Sequence, residues 1–151
     1  MSDLLTRAEY QAIADTLVYP RAAFIDGKFQ AGKGGMMPTL NPATGETIAE
    51  IAACNAEDVD FAVGKAREAF DQGHWSKLHP SERKGVLVRL SKLMTRNRRE
   101  LAVLESLESG KPIADCEGID IPEAIHTILW TPKRSTRSTT RPARAAMARS
   151  P

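Results

Sequence analysis

Residues 39–75 read TLNPATGETIAEIAACNAEDVDFAVGKAREAFDQGHW, and the punctuation of this stretch decides what the chain can build. Pro42 through Gly45 mark a turn. A strand over Thr47–Ala53 follows it, although Ile48 and Ile51 break strict alternation and leave the buried face of that strand open. Asn55 is a good helix N-cap, with Asp58 three residues on, and Gly73 supplies the stop. Between them Val59, Ala62, Val63, Ala66, Ala69 and Phe70 recur at helical spacing and form one apolar stripe. A strand and a helix of this kind need a large covering surface.

Upstream, Thr6 and Glu9 have capping-box spacing, so a first helix is expected to run to about Leu17 and to end before Pro20. AAFIDGKFQ places two short runs around Asp26-Gly27, a dipeptide suited to a two-residue hairpin turn with positive φ. AGKGGMMP then reads as loop. Downstream, HPSER opens a helix with Pro80 in its first turn and Val86, Leu87, Leu90, Leu93 and Met94 on its buried face. RNRRE reads as a polar joint. Leu101, Leu104 and Leu107 continue the pattern to Gly110, with Pro112 beyond. A last short helix is expected from about Pro122, carrying Ile125, Ile128, Leu129 and Trp130. No internal repeat is present.

Length alone allows one small domain with a core. The net charge of +2 is unevenly spread: all six basic residues of positions 131–151 stand without one acidic residue, and the body is mildly acidic. That Ser/Thr/Arg-rich end offers only Met147 and a few alanines to a core, so disorder is expected there. No apolar run approaches the ~18 residues of a membrane helix, and charge interrupts the N-terminal apolar residues where a signal peptide would need continuity. Two cysteines, Cys54 and Cys116, are too few for a disulfide framework, which points to a reducing, cytoplasmic setting. The expected organisation is an N-terminal helix and linker (1–23), a partial domain (24–130) and a basic tail (131–151). Few strands and several one-sided helices make this the opening section of a larger fold, not a closed domain.

The motifs FIDGKF, the stretch 39–75, SERKGVLVRLSKLM and LESLESGKPIADC occur in an order that resembles the N-terminal part of the aldehyde dehydrogenase superfamily. The nearest look is to bacterial enzymes acting on gamma-glutamylated or free aminoaldehydes. The resemblance implies an α/β fold, of which this chain holds an incomplete N-terminal part of the Rossmann-like NAD(P)-binding domain. It also implies the chemistry: a cysteine thiolate attacks an aldehyde, hydride passes to the nicotinamide, and a glutamate assists hydrolysis of the thioester to the carboxylate. In such enzymes the nucleophile, the glutamate, the oxyanion-binding asparagine and the dinucleotide helices lie beyond the matched segment, so no catalytic or cofactor-binding residue carries over. NAD or NADP belongs to the full-length family and is not expected to bind this chain well. One site does transfer in outline. Some relatives hold a monovalent cation near the Asn-Pro turn and the Gly-Lys-Pro turn, which here implicates Thr39, the Leu40 carbonyl and Glu108.

The other candidates weigh less. Cys54 precedes a helix N-terminus, where a thiol pKa falls, yet no histidine stands near it and its position matches a structural one in the family. Cys116 lies between Asp115 and Glu117, which disfavour a thiolate. His74 and His79 lack companions for a zinc set, and His126 reads as a helix-surface residue. SGKP at Ser109–Pro112 lacks the upstream glycine and following hydroxyl of a phosphate loop, so Gly110 reads as a helix C-cap. GKGG at Gly32–Gly35 lacks a strand-then-helix context for a dinucleotide fingerprint.

The tail itself carries a signal. After such a tryptophan, relatives continue with something close to A-E-A-I-D-K. The residues from Thr131 to Arg141, read across codon junctions, permit A-E-A-I-D-K-I-Y-D-Q. A frameshift after Trp130 is therefore expected. The alternatives are an interaction module docking on a full-length relative and weak nucleic-acid binding through the basic tail, the latter disfavoured by an acidic body and the lack of interleaved aromatics.

Overall fold

Local capping rules set most of the boundaries in the computed structural model, which describes residues 4–135. Helix α1 (Arg7–Thr16) begins with the full capping box: the Thr6 hydroxyl accepts from the Glu9 amide, and the Glu9 carboxylate accepts from the Thr6 amide. Strands β1 (Ala23–Ile25) and β2 (Lys28–Gln30) form the expected antiparallel hairpin, with Asp26 and Gly27 both at positive φ (54° and 73°). A second antiparallel pair joins β3 (Met36–Leu40) to β4 (Thr47–Ala52). Met36, Met37 and Pro38, expected in a loop, are thus strand; Pro38 is tolerated because β3 has a partner on one side only.

The β3–β4 register explains the broken alternation in the sequence. Thr39 pairs with Ala49 and Leu40 with Thr47, so Ile48 is the extra residue of a bulge. The bulge turns Ile48 toward the same cavity that Ile51 lines.

Helix α2 (Ala56–Gln72) carries the Asn55–Asp58 capping box and ends on Gly73 in the left-handed region. Helix α3 (Pro80–Arg96) is N-capped by His79, whose ring nitrogen Nδ1 accepts from the Ser81 amide at 3.3 Å. The expected five-residue polar joint collapses to Asn97 alone. Helix α4 (Arg98–Ser109) starts at once, because Asn97 ends α3 and begins α4. Gly110 caps α4 at φ 74°. The last helical segment begins at Ile113, not near Pro122: α5 (Ile113–Asp115) passes through a π turn (Cys116–Asp120) into α6 (Ile121–Ser135). Helix α6 therefore continues five residues past Trp130. The rest of the expected tail, from residue 136, lies outside the described residues.

The packed centre is helical. Helix α4 lies against α1, the π turn and α6, and α6 lies along α3. Ala102, Val103 and Cys116 are buried at the centre of that cluster. On α3 the covered line runs through Leu87 and Ser91 to Met94, whereas Val86, Leu90 and Leu93 stay exposed at 37%, 42% and 47%. No described helix is long and apolar enough to cross a membrane.

Candidate functional site

The turns that carry the most distinctive sequence motifs meet in space. Asn41 opens the Asn-Pro turn, its side chain accepting from the Ala43 amide and its carbonyl from the Gly45 amide at 2.7 Å. Opposite stands Gly110, where a Cβ would lie 2.9 Å from Pro42 Cγ. A side chain at residue 110 would force the ends of β3 and α4 to shift apart, and the left-handed φ there favours glycine as well.

Beside this junction lies a small cavity, about 160 Å³, between the β3–β4 pair, the Tyr19-Pro20 linker and the end of α4. Thr39 and Glu108 both line it, so the structure brings together two of the three positions implicated in cation binding. Leu40 follows Thr39 in β3 but is not among the lining residues, and its side chain is half exposed. The remaining wall is mostly aliphatic: Ile48, Ile51, Leu104 and Leu107. One hydroxyl and one carboxylate do not complete the oxygen shell of a hard cation. Glu108 has a second effect here, because its negative charge adds to burial in raising the Tyr19 phenol above its ordinary pKa.

Exposure separates the two cysteines. Cys116 is wholly buried, and its thiol is pushed up by that burial first, then by the charges of Asp120 and Glu105. A thiolate is disfavoured there, as the sequence suggests, but desolvation matters more than the adjacent Asp115. Cys54 is exposed at the start of α2. That helix start is held by its own capping box: the Asn55 side chain accepts from the Asp58 amide at 3.1 Å, and the Asp58 carboxylate accepts from the amides of Asn55 and Lys33 at 3.0 and 2.7 Å.

The glycine-rich loops are equally committed. A Cβ at Gly32 would overlap the Ala53 carbonyl oxygen, and one at Gly34 would lie 2.9 Å from it. The Gly34 amide donates to that same oxygen at 2.9 Å, while Lys33 pairs with Glu57 at 2.9 Å. This loop extends the edge of β4 and presents no phosphate cradle. In the Gly110 turn, Lys111 pairs with Asp120 at 2.7 Å, and the Ser109 hydroxyl donates to the Glu105 carbonyl. His74 and His126 are exposed, and no three His, Cys, Asp or Glu residues among the described ones form a metal-binding group. His79 has a job that composition conceals, since histidine is a rare N-cap; the Pro80 and Glu82 that follow it were the available signal.

One polar cluster escaped sequence reasoning. Glu117, buried in the π turn, accepts from the Tyr10 hydroxyl at 2.6 Å and from Arg99 Nε at 3.3 Å, with Arg98 Nε 3.7 Å away. It ties α1 to the far end of the chain's helical cluster. A separation of 107 residues leaves no local pattern from which to read it.

Comparison with known proteins agrees with this anatomy. The aldehyde dehydrogenase family model matches residues 29–149. The chain is 53% identical over 131 residues to an aminoacetaldehyde dehydrogenase of Pseudomonas aeruginosa, spanning 86% of this chain and 26% of that protein. Among solved structures, a gamma-glutamyl-gamma-aminobutyraldehyde dehydrogenase of Burkholderia cenocepacia superposes with a TM-score of 0.82 at 40% identity, over 85% of this chain and 26% of the other. The P. syringae indole-3-acetaldehyde dehydrogenase AldA, solved in complex with NAD+ and IAA, gives 0.84 at 38% identity over 89% and 27%. The chain thus spans about a quarter of the length of these relatives. With the family match, the shared backbone and the junction of its two signature turns, this chain belongs to the aldehyde dehydrogenase family.

Proposed function

We propose that this chain is the N-terminal section of a cytoplasmic NAD(P)-dependent aldehyde dehydrogenase acting on aminoaldehydes, and that its 151 residues alone oxidise no aldehyde. The observation behind the second half is the state of its only two thiols. Cys116 is buried away from any substrate, and Cys54 stands in the open with no histidine beside it in sequence to act as a base. Lacking a dinucleotide cradle as well, the described residues offer a hydride nowhere to go. The aminoaldehyde preference rests on likeness to the two relatives named for such substrates.

Thr39, the Leu40 carbonyl and Glu108 then contribute a partial monovalent-cation shell that further oxygens complete in the assembled enzyme. The segment after Trp130 is the product of a frameshift, a reading supported by the family-like run A-E-A-I-D-K-I-Y-D-Q that codons for residues 131–141 permit in a shifted frame. On that basis its positive charge was never selected for nucleic acid, and its phosphate binding is weak and salt-sensitive.

The test supplies the purified chain with NAD or NADP and a panel of aldehydes that includes aminoaldehydes. The expected outcome is no reduced nicotinamide above background. Turnover that disappears in Cys54→Ser would overturn the proposal. Sequencing the locus tests the frameshift separately: aldehyde dehydrogenase-like coding in another frame after the Trp130 codon is the expected result.

A further inference from the structure

The cavity between the β3–β4 pair, the Tyr19-Pro20 linker and the end of α4 gathers polar groups that the rest of the chain leaves unused. Elsewhere in the helical cluster carboxylates are engaged: Glu117 accepts from Tyr10 and Arg99, and Asp120 pairs with Lys111. Among the described residues, no cationic side chain pairs with Glu108, and neither the Tyr19 phenol nor the Thr39 hydroxyl is hydrogen-bonded to a neighbour. All three line this cavity. Glu108 is exposed, so its charge stands at the mouth, close enough to act on the half-buried Tyr19 phenol.

The wall behind them is aliphatic, formed by Ile48, Ile51, Leu104 and Leu107. An inorganic cation gains nothing from such a wall and loses hydration against it. An anion meets the Glu108 charge. A ligand with a cationic head and a short alkyl stem suits both ends: its N–H groups meet the three oxygen-bearing side chains, and its stem takes apolar surface out of water. Liquid water occupies about 30 Å³ per molecule, so a space of about 160 Å³ holds roughly five non-hydrogen atoms. That is the size of butylammonium.

We propose that this cavity binds a short primary alkylammonium ion, with its head at Glu108, Tyr19 and Thr39 and its stem among the aliphatic side chains. The ligand differs in class from the inorganic ion of the partial shell proposed above, and the Leu40 carbonyl has no part in holding it. The proposal needs only this chain's own residues, so it stands apart from the reading as an N-terminal section. A lysine side chain carries the same head and stem, but its backbone would have to lie at the inner, aliphatic end, where there is no room for it. A free amine is therefore the ligand.

Saturation-transfer NMR on the 151-residue chain, at neutral pH and constant ionic strength, tests this with methyl-, butyl- and hexylammonium as probes. Affinity is expected to rise roughly fourfold per methylene up to butylammonium, reaching a dissociation constant of about 1 mM. Hexylammonium should gain nothing further. Glu108→Gln should weaken butylammonium binding about tenfold, and Thr39→Val, which suits a strand, about threefold. Neither should change the circular dichroism, since Glu108 is exposed and Thr39 half-buried. Nα-acetyl-lysine amide and n-butyrate should not bind. No saturable binding, equal affinities for methyl- and butylammonium, indifference to both variants, or binding of either control would overturn the inference. Displacement of butylammonium by equimolar potassium would overturn it too, while leaving the inorganic shell in place.

Discussion

Glu117 and Glu108 show how much a single carboxylate does in this chain, and the two tyrosines report on them separately. Burial is the first cause raising each phenol; the second is the hydrogen bond to Glu117 for Tyr10 and the charge of Glu108 for Tyr19. A spectrophotometric titration has only these two tyrosines to read, and both are expected to ionise above the usual value of about 10. Glu108→Gln should bring Tyr19 down and leave Tyr10 alone, whereas Tyr10→Phe should remove the other transition. Two ordinary titrations in the folded chain would show that neither carboxylate faces its tyrosine. Because the folded pKa values are raised, their stabilising contribution is intact below about pH 10 and disappears as pH rises through the folded values. At this scale the sequence was partly legible. Thr39 and Glu108 could be named from motif likeness, but the Tyr10–Glu117 bond joins positions 107 apart, which no window of sequence connects.

Caps and turns are the elements' own grammar, and here the sequence was most readable. The boxes at Thr6 and Asn55, the Asp26-Gly27 hairpin and the glycine stops all stand where spacing put them. What failed to show was anything decided by pairing or packing. Strand β3 depends on β4 for its existence. Helix α3 buries Ser91 and leaves Leu90 out because α6 lies along that side. The Gly110 turn allows a direct check. Gly110→Ala and Gly27→Ala both place a side chain at φ near 74°, a strain of about 1–2 kcal/mol. Only at residue 110 does the new methyl also meet Pro42, since nothing lies within 4 Å at residue 27. Thermal unfolding followed by circular dichroism should therefore show the larger loss for Gly110→Ala. Equal losses would mean that the two signature turns do not touch.

At the level of the whole molecule, burial is concentrated on one side. The helical cluster of α1, α3, α4 and α6 holds the buried residues Ala102, Val103 and Cys116, while α2 and both phenylalanines of the hairpin remain open. Covering Val59, Val63 and Phe70 fully would each contribute roughly 1.5–3 kcal/mol, a gain this chain forgoes alone. The isolated protein is expected to keep helical signal, melt without a sharp transition and bind an apolar-surface dye. A cooperative melt with no dye binding would show the cluster to be self-sufficient. The π turn adds a consequence for how such a chain tolerates changes of length. Its wider hydrogen-bonded loop holds one residue more than an α-helical turn would. Losing Gly118 lets the turn relax to α-helix with α6 still in phase against α3, and the damage falls on the seat of Glu117. Losing Ala124 instead rotates everything after it by about 100° and turns Ile125, Ile128 and Leu129 away from their neighbours. Comparing the helicity and melting of these two deletions would show whether the turn is a reserve of length, where an insertion or deletion is absorbed before it reaches the packed helices.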